Sequence, residues 1–351
     1  MRRSELKRPA AIALLAPLLA LAAAIGTVRW NRAVSAEDAA LYPPLGRPLV
    51  VEQVPGEPIY YTLGNPGIPD RDNEGNTSNA GFVVTPAGVV VFDALGTPSL
   101  GWNLLRAIKK ATGAPVRYNV VSHYHADHIY GLQAFKDHTS SIVIAQDRAT
   151  EYREDEETSG ERANQRLDQR REALAPWVDA NTRVVPPDIT FKEQATLYLG
   201  GKRFALIYAG PAHSASDAMM MVEPDGVLFA GDVVQNGRIP FMNADDVDTA
   251  NWLRSLDEVE KLNPKFIIPG HGHPSDNAAA AIAFTRDYIT YVRAAMAKAV
   301  ADWAEFDAAY AATDWSRYQD IPAFATNNRG NAYRIFLEME RGQFKPDKPG
   351  Q

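Results

Sequence analysis

The stretch SHYHADHIYG, Ser122 to Gly131, gathers His123, His125, Asp127 and His128, three of the chain's seven histidines among them, within six residues. It follows VRYNVV, a β-branched apolar run of the kind that forms a buried strand, and it precedes the helix-like IYGLQAFK. The cluster therefore stands where a rigid strand gives way to a loop, a common place for chemistry. His123 and His125 point the same way on an extended segment, and Asp127 and His128 follow on the turn. A chance histidine-rich loop would explain this cluster alone. It would not explain why other apolar runs also end in ligand-type residues. His213 follows FALIYAG, Asp232 ends VLFAGD, and His271 follows KFIIPG. Five histidines and two carboxylates are too many for one four-coordinate ion. Two divalent ions, about 3.5–4 Å apart and sharing one carboxylate, fit better. Neutral imidazole and carboxylate suit zinc, with iron or manganese as alternatives. The chain has no cysteine, which excludes disulfides, thiolate ligands and a cysteine nucleophile. A helix-borne HExxH is absent, which excludes the zincin arrangement.

At 351 residues the chain can form one large domain or two small ones. Its beginning reads as a targeting segment: basic MRRSELKRPA, then an uncharged run from Ala11 to Val28, then a small-residue site at Val34-Ser35-Ala36. Residues 1–36 are therefore expected to be a signal peptide or a membrane anchor. That places the protein outside the cytoplasm, periplasmic or tethered to the outer face of the inner membrane. Arg2 and Arg3 fit a twin-arginine leader and a general secretory one equally. The net charge of −7 gives no reason to expect nucleic acid, so the expected partner is a small-molecule substrate.

Between the ligand-bearing runs, strands and helices alternate with hairpins mixed in. NAGFVVTP and GVVVFDA flank a turn at Pro86-Ala-Gly88, Gly200-Gly201 makes a second turn, and Pro224-Asp-Gly226 a third. Pro98 opens a helix that stops at Gly113, and TANWLRSLDEVEKLN is an amphipathic helix. This predicts an α/β fold of mixed sheets with helices on their outer faces. From Gln146 to Ala180 the texture is highly charged and helix-favouring, which reads first as a solvated helical insertion and second as a flap over the site. His138 and His273 read as surface and rim residues, Tyr124 and Tyr130 as packing, and Ser122 as strand-end packing without a chemical role.

HYHADH, His213, Gly231-Asp232 and PGHG at Pro269 to Gly272 match, in order, the motifs of the metallo-β-lactamase superfamily. The resemblance runs from roughly Val50 to His273. It implies an αββα sandwich, with a catalytic domain at 37–275, an insertion at 146–185 and a C-terminal helical extension at 276–351. It also implies that His123, His125 and His213 hold one zinc ion, that Asp127, His128 and His271 hold a second, and that Asp232 bridges them. A bridging aspartate is more similar to glyoxalase II and the lactonases than to class B β-lactamases. Asp127 would also orient the attacking hydroxide. Asp93, ending VVVFDA, would support the ligand histidines from behind. GDVVQNGRIPF, PGHG and the late AYRIFLEME resemble the quinoprotein relay system zinc metallohydrolases, the SoxH-like group. The expected activity is hydrolysis of an ester, thioester, lactone or related bond by a metal-bridging hydroxide. A β-lactam hydrolase and a non-hydrolytic metal-binding or redox-relay component are the alternatives. Arg238, six residues after Asp232 on a Gly–Pro-bounded loop, is expected to grip an anionic substrate group, with a salt bridge to NADDVD as the alternative.

Overall fold

The computed structural model describes residues 41–149 and 159–343, with 159–164 traced by backbone alone. The expected leader lies outside the described residues. Seven strands form the first sheet in chain order: β1 (Val51–Gln53), β2 (Ile59–Thr62), β3 (Ala80–Thr85), β4 (Gly88–Phe92), β5 (Val116–Val120), β6 (Ile142–Gln146) and β7 (Ile189–Phe191). The first four are antiparallel neighbours, and β4 onward run parallel. Five strands form the second sheet: β8 (Gln194–Leu199), β9 (Lys202–Tyr208), β10 (Ala218–Glu223), β11 (Val227–Asn236) and β12 (Phe266–Gly272). Here only the β11–β12 pair is parallel. Each of the three turns read in the sequence joins an antiparallel pair.

The period of two along the strands decides which core each side chain enters. In β4, Val89 and Val91 face one core while Val90 and Phe92 face another. In β11, Leu228 and Ala230 face outward to helices, and Val227 and Phe229 face the opposite sheet. The two sheets thus lie face to face, and Phe92 stacks on Phe229 across them at 5.4 Å.

Helices cover the outer faces. On the first sheet lie α1 (Pro98–Ala111), the single turn α2 (Ala126–Ile129), α3 (Leu132–His138) and α4 (Ser159–Leu174). On the second lie α5 (Thr249–Leu262), α6 (Ala278–Ala301), α7 (Phe306–Ala312) and α8 (Phe324–Gln343). Thr97 caps α1 by accepting from the Leu100 N–H, with Pro98 in the first turn, where its missing N–H costs nothing. Leu100, Leu104 and Ile108 give that helix its buried stripe. The C-terminal helices are more than an appendage. Tyr288, Ile289, Val292 and Ile335 share one core with Leu228 and Ile267 of the second sheet, so α6 and α8 form its outer layer.

The charged insertion contains α4, whose described side chains are mostly solvated but which is anchored by two of them. Leu167 and Leu174 of α4 are buried among the residues of the first helical layer. Only its other faces carry the charge that dominates the sequence.

Candidate metal centre

The ligand-type residues meet where the C-terminal ends of β5, β9, β11 and β12 converge. Three groups place their ligand atoms within 4.8 Å of one another: His123, His125 and His213; His123, His128 and Asp232; and Asp127, His128 and His271. All seven expected ligands are therefore together. His128 Nε2 lies 3.3 Å from Asp232 Oδ1, and His213 Nε2 and His271 Nε2 each lie 3.2 Å from Asp232 Oδ2. Asp232 thus sits between the first triad and the second, with one oxygen facing ligands of both.

Local backbone explains how Asp232 gets there. Strand β11 breaks register around Gly231, whose φ is +51°. A Cβ at Gly231 would meet Ser122 Cβ at 2.7 Å, and one at Gly270 would meet Asp232 Oδ1 at 1.9 Å. Glycine at these two positions leaves the room in which the carboxylate lies.

The ring nitrogens are sorted by their outer partners. Nδ1 of His213 faces Phe241 O at 2.9 Å, Nδ1 of His271 faces Thr77 O at 2.7 Å, and Nδ1 of His128 faces Asp93 Oδ2 at 2.8 Å. These partners only accept, so each Nδ1 carries a proton, which leaves each Nε2 as the ring atom available to a cation. His123 follows by one further step. Ser122 Oγ donates to Asp93 Oδ2 at 2.8 Å, so it accepts from His123 Nδ1 at 3.0 Å. Nδ1 of His125 faces inward instead, 2.8 Å from His213 Nε2. Ser122 therefore has a role that its position before the motif does not reveal. It passes the Asp93 carboxylate on to a second histidine.

Asp93 occupies the left-handed region at φ +58°, tolerated by aspartate, and also accepts from the Ser122 N–H at 2.7 Å. Its expected place behind the ligands is thus where the structure puts it. Two further buried residues brace the site. Asp217 accepts from the Ser214 N–H at 2.7 Å and from Ser214 Oγ at 2.9 Å, which fixes the loop bearing His213. Burial pushes its carboxyl up to about 8, against the pull of those donors. Asn79 Nδ2 donates to Pro269 O at 2.8 Å and Gly272 O at 2.9 Å, tying the first sheet to the turn that carries His271. Sequence gave no sign of either, since both are polar residues indistinguishable from turn formers.

The residues fit divalent cations. His123 Nε2, His128 Nε2 and Asp232 Oδ1 are buried without a hydrogen-bond partner, and such groups are costly unless something binds them. Burial holds His123, His125 and His213 below the usual histidine range, in the neutral form a metal requires. His128 is raised instead: burial opposes its charge, but Asp232, Asp93 and Asp127 around it prevail. Burial also works against the Asp127 charge, yet His128 and His271 hold that carboxyl below its usual range.

A cavity of about 780 Å³ opens onto the centre, lined by Ile68, Tyr124, Asp127, Arg166, Arg170 and Phe241 among others. Asp127 reaches it with 16% of its side chain exposed, against 5% for His271 and 2% for Asp232. Tyr124 lines this cavity and donates to Asp246, while Tyr130 is buried elsewhere as packing. His138 packs on Trp102 and Tyr42, and His273 is exposed. Arg238 also lines the cavity, but its hydrogen bonds go to the chain. Nε donates to Pro66 O at 2.7 Å, Nη2 to Gly67 O at 3.4 Å and Nη1 to Gln235 Oε1 at 3.2 Å. Gln235 Nε2 in turn donates to Asp232 Oδ2 at 3.2 Å. Carbonyls thus stand where the alternative reading had the acidic NADDVD, and Arg238, at the cavity wall, braces Asp232 through Gln235.

Residues 74–271 match the model of the metallo-β-lactamase superfamily. The chain is 21% identical over 239 residues to a linear primary-alkylsulfatase of Pseudomonas sp., covering 60% of this chain and 45% of the relative. It is 24% identical over 218 residues to a type 2 metallo-β-lactamase of Elizabethkingia meningoseptica, covering 61% of this chain and 75% of that one. The chain thus spans less than half of the first relative and three quarters of the second. The solved structure of a sec-alkylsulfatase from Pseudomonas sp. shares the fold, with a TM-score of 0.64 at 17% identity, covering 86% of this chain and 52% of that one. Matched over more than half its length, with the motif histidines and aspartates gathered at one end of a two-sheet sandwich, the chain belongs to the metallo-β-lactamase superfamily.

Proposed function

We propose that this superfamily hydrolase works with two divalent cations, zinc foremost, on a small ester, thioester, lactone or related substrate. The observation that carries the reading is the set of orphaned buried atoms, His123 Nε2, His128 Nε2 and Asp232 Oδ1, between two triads of ligands. His123, His125 and His213 would hold one ion, Asp127, His128 and His271 the other, and Asp232 both. When bound, such a pair lowers the pKa of water and polarises the scissile bond. The remaining work falls to the chain. Asp127, exposed to the cavity and held ionised, would orient the attacking water by accepting a hydrogen bond from it. Asp93, Ser122, Phe241 O and Thr77 O fix the ring orientations. Tyr124 and helix α4 line the cavity in which a substrate would sit. The basic, then apolar, first 36 residues support export to the periplasm or tethering at the membrane face. Replacing Arg2 and Arg3 with lysine blocks a twin-arginine route and spares a secretory one.

A hydrolysis panel on zinc-reconstituted protein tests the reading: nitrocefin, S-lactoylglutathione, a homoserine lactone, and nitrophenyl phosphate and sulfate. Zinc-dependent turnover of the thioester or lactone supports it. Turnover of nitrocefin alone would make the protein a β-lactamase. No turnover by a protein loaded with two iron ions would favour a redox or relay role.

A further inference from the structure

Helix α8 carries three buried asparagines, Asn327, Asn328 and Asn331. Asparagine is a poor helix former, and a buried amide is costly unless its hydrogen bonds are made. An apolar residue would fill this layer more simply, so the amides need a task. Their partners supply it. Asn331 Oδ1 accepts from the Met242 N–H at 2.7 Å, and Asn331 Nδ2 donates to Pro240 O at 2.7 Å and to Tyr288 Oη at 3.0 Å. Asn327, one turn earlier on the same face, donates through Nδ2 to Ile239 O at 3.1 Å and to Pro240 O at 3.3 Å. The Ile239 N–H donates to Pro322 O at 2.9 Å, just ahead of the helix. The backbone of Ile239 to Met242 is thus held by the C-terminal extension.

That segment reaches the metal centre. Ile239 and Met242 are buried in one core with Ala332 and Ile335 of α8. Phe241 between them turns the other way, its ring lining the cavity and its carbonyl accepting from His213 Nδ1 at 2.9 Å. The Phe241 carbonyl and the Met242 N–H belong to one planar peptide unit, in which the two bonds point in opposite directions. Asn331 therefore holds one end of a rigid plane and His213 meets the other. A hydrogen bond at the N–H end also polarises the peptide and makes its carbonyl a better acceptor. Trp252 packs edge-on against the His213 ring, with centroids 5.7 Å apart, but an apolar contact does not choose between the ring nitrogens. The carbonyl does: an acceptor at Nδ1 leaves Nε2 for a cation.

We infer that α8 belongs to the metal centre, with Asn331 a positioning residue that fixes the His213 imidazole through the Phe241–Met242 peptide plane. Asn327 braces the two carbonyls before it. The inference rests on the two-cation reading for what His213 binds.

Ring-nitrogen NMR of the metal-free, histidine-labelled protein tests the contact first. Wild-type His213 is expected in the Nδ1–H form, with that proton protected from exchange, and an Nε2–H form overturns the inference. Two substitutions then separate positioning from packing. Asn331→Leu removes the hold on the peptide plane. Asn328→Leu removes an equally buried amide whose side chain bonds Tyr288 and Tyr310 instead. Asn331→Leu is expected to lose the protected proton and about tenfold in zinc affinity at the first set, with the second set within about twofold of wild type. Asn328→Leu is expected to lower the melting temperature and spare both. Chelator competition reads the affinities. Wild-type affinity in Asn331→Leu, or an equal loss in Asn328→Leu, overturns the inference. Should Asn331→Leu not fold, Asn331→Ala is read in its place by the same criteria. A wild type without zinc at the first set, but with a His213 proton that depends on Asn331, keeps the positioning and removes the cation reading. Zinc bound there with an affinity indifferent to Asn331 does the reverse.

Discussion

The two halves of the metal centre are built differently. His123, His125 and His213 form a buried set of three imidazoles, neutral because burial disfavours their charge. Asp127, His128 and His271 form a mixed set that opens to the cavity through Asp127 and is rich in carboxylate. His128 there touches three carboxylates, Asp93, Asp127 and Asp232. The first set is preorganised for a cation without proton competition. The second pairs its negative charge with a proton until a cation arrives. On the proposed two-cation reading, the difference predicts unlike pH dependence for the two sets, with an ion at the cavity-side set the more labile.

The largest expected effect is the loss of one side of the comparison. His213→Ala removes the first ion, and His271→Ala removes the second while the first remains. Each lowers zinc affinity at its own set by more than the roughly 10–100-fold typical of outer-partner changes. Metal analysis after equilibrium dialysis checks this, and equal loss of both ions in His271→Ala would break the distinction. Gly270→Ala acts on both sets at once. Its new Cβ falls 1.9 Å from Asp232 Oδ1, so the shared carboxylate is displaced and both affinities fall, whereas Gly113→Ala, where a Cβ meets nothing within 4 Å, leaves them intact.

A smaller effect separates the outer partners. Asp93→Asn takes the charge from behind His128 and, through Ser122, from behind His123, and is expected to weaken zinc binding about tenfold. Ser122→Ala reaches His123 alone, with a smaller loss confined to the first ion. Chelator competition reads both, and an Asp93→Asn protein of wild-type affinity would remove that carboxylate from the account.

The smallest effect is in pH. The His128 pKa lies above its ordinary 6.5, so in the metal-stripped protein it is protonated at and somewhat above that pH, and loading the second ion displaces a proton there. The first-set histidines lie below 6.5 and are already neutral. As pH falls from neutrality the second ion is therefore lost first. Simultaneous loss of both ions in an acid titration would contradict the assignment.

Much of this was legible in the chain. His123 to His128 are adjacent in sequence, and Asp232 and His271 follow apolar runs that only a buried strand explains. The mixed sheets followed from three recognisable turns. Strands β1 and β2 are not legible because they are three and four residues long and lie in Pro-rich sequence whose alternation is weak. The hydrogen bonds of Ser122 and Arg238 were not legible for a common reason: spacing places a residue near a site but does not say which way its side chain turns. Arg238 turned to the carbonyls of Pro66 and Gly67, some 170 residues away in sequence. The two-faced pattern of α4, Leu167 and Leu174 against Arg166 and Arg170, was present in the sequence but hidden by the charge around it.

The central claim is that Asp232 joins two cation sites into one centre. Zinc titration of the chelator-stripped protein, with bound metal counted at saturation beside Asp232→Ala, tests it most directly. The account predicts two ions per chain in the wild type and fewer than two in the variant, with its remaining affinity reduced. A wild type that saturates at one ion, or an Asp232→Ala protein that still binds two with unchanged affinity, would contradict it.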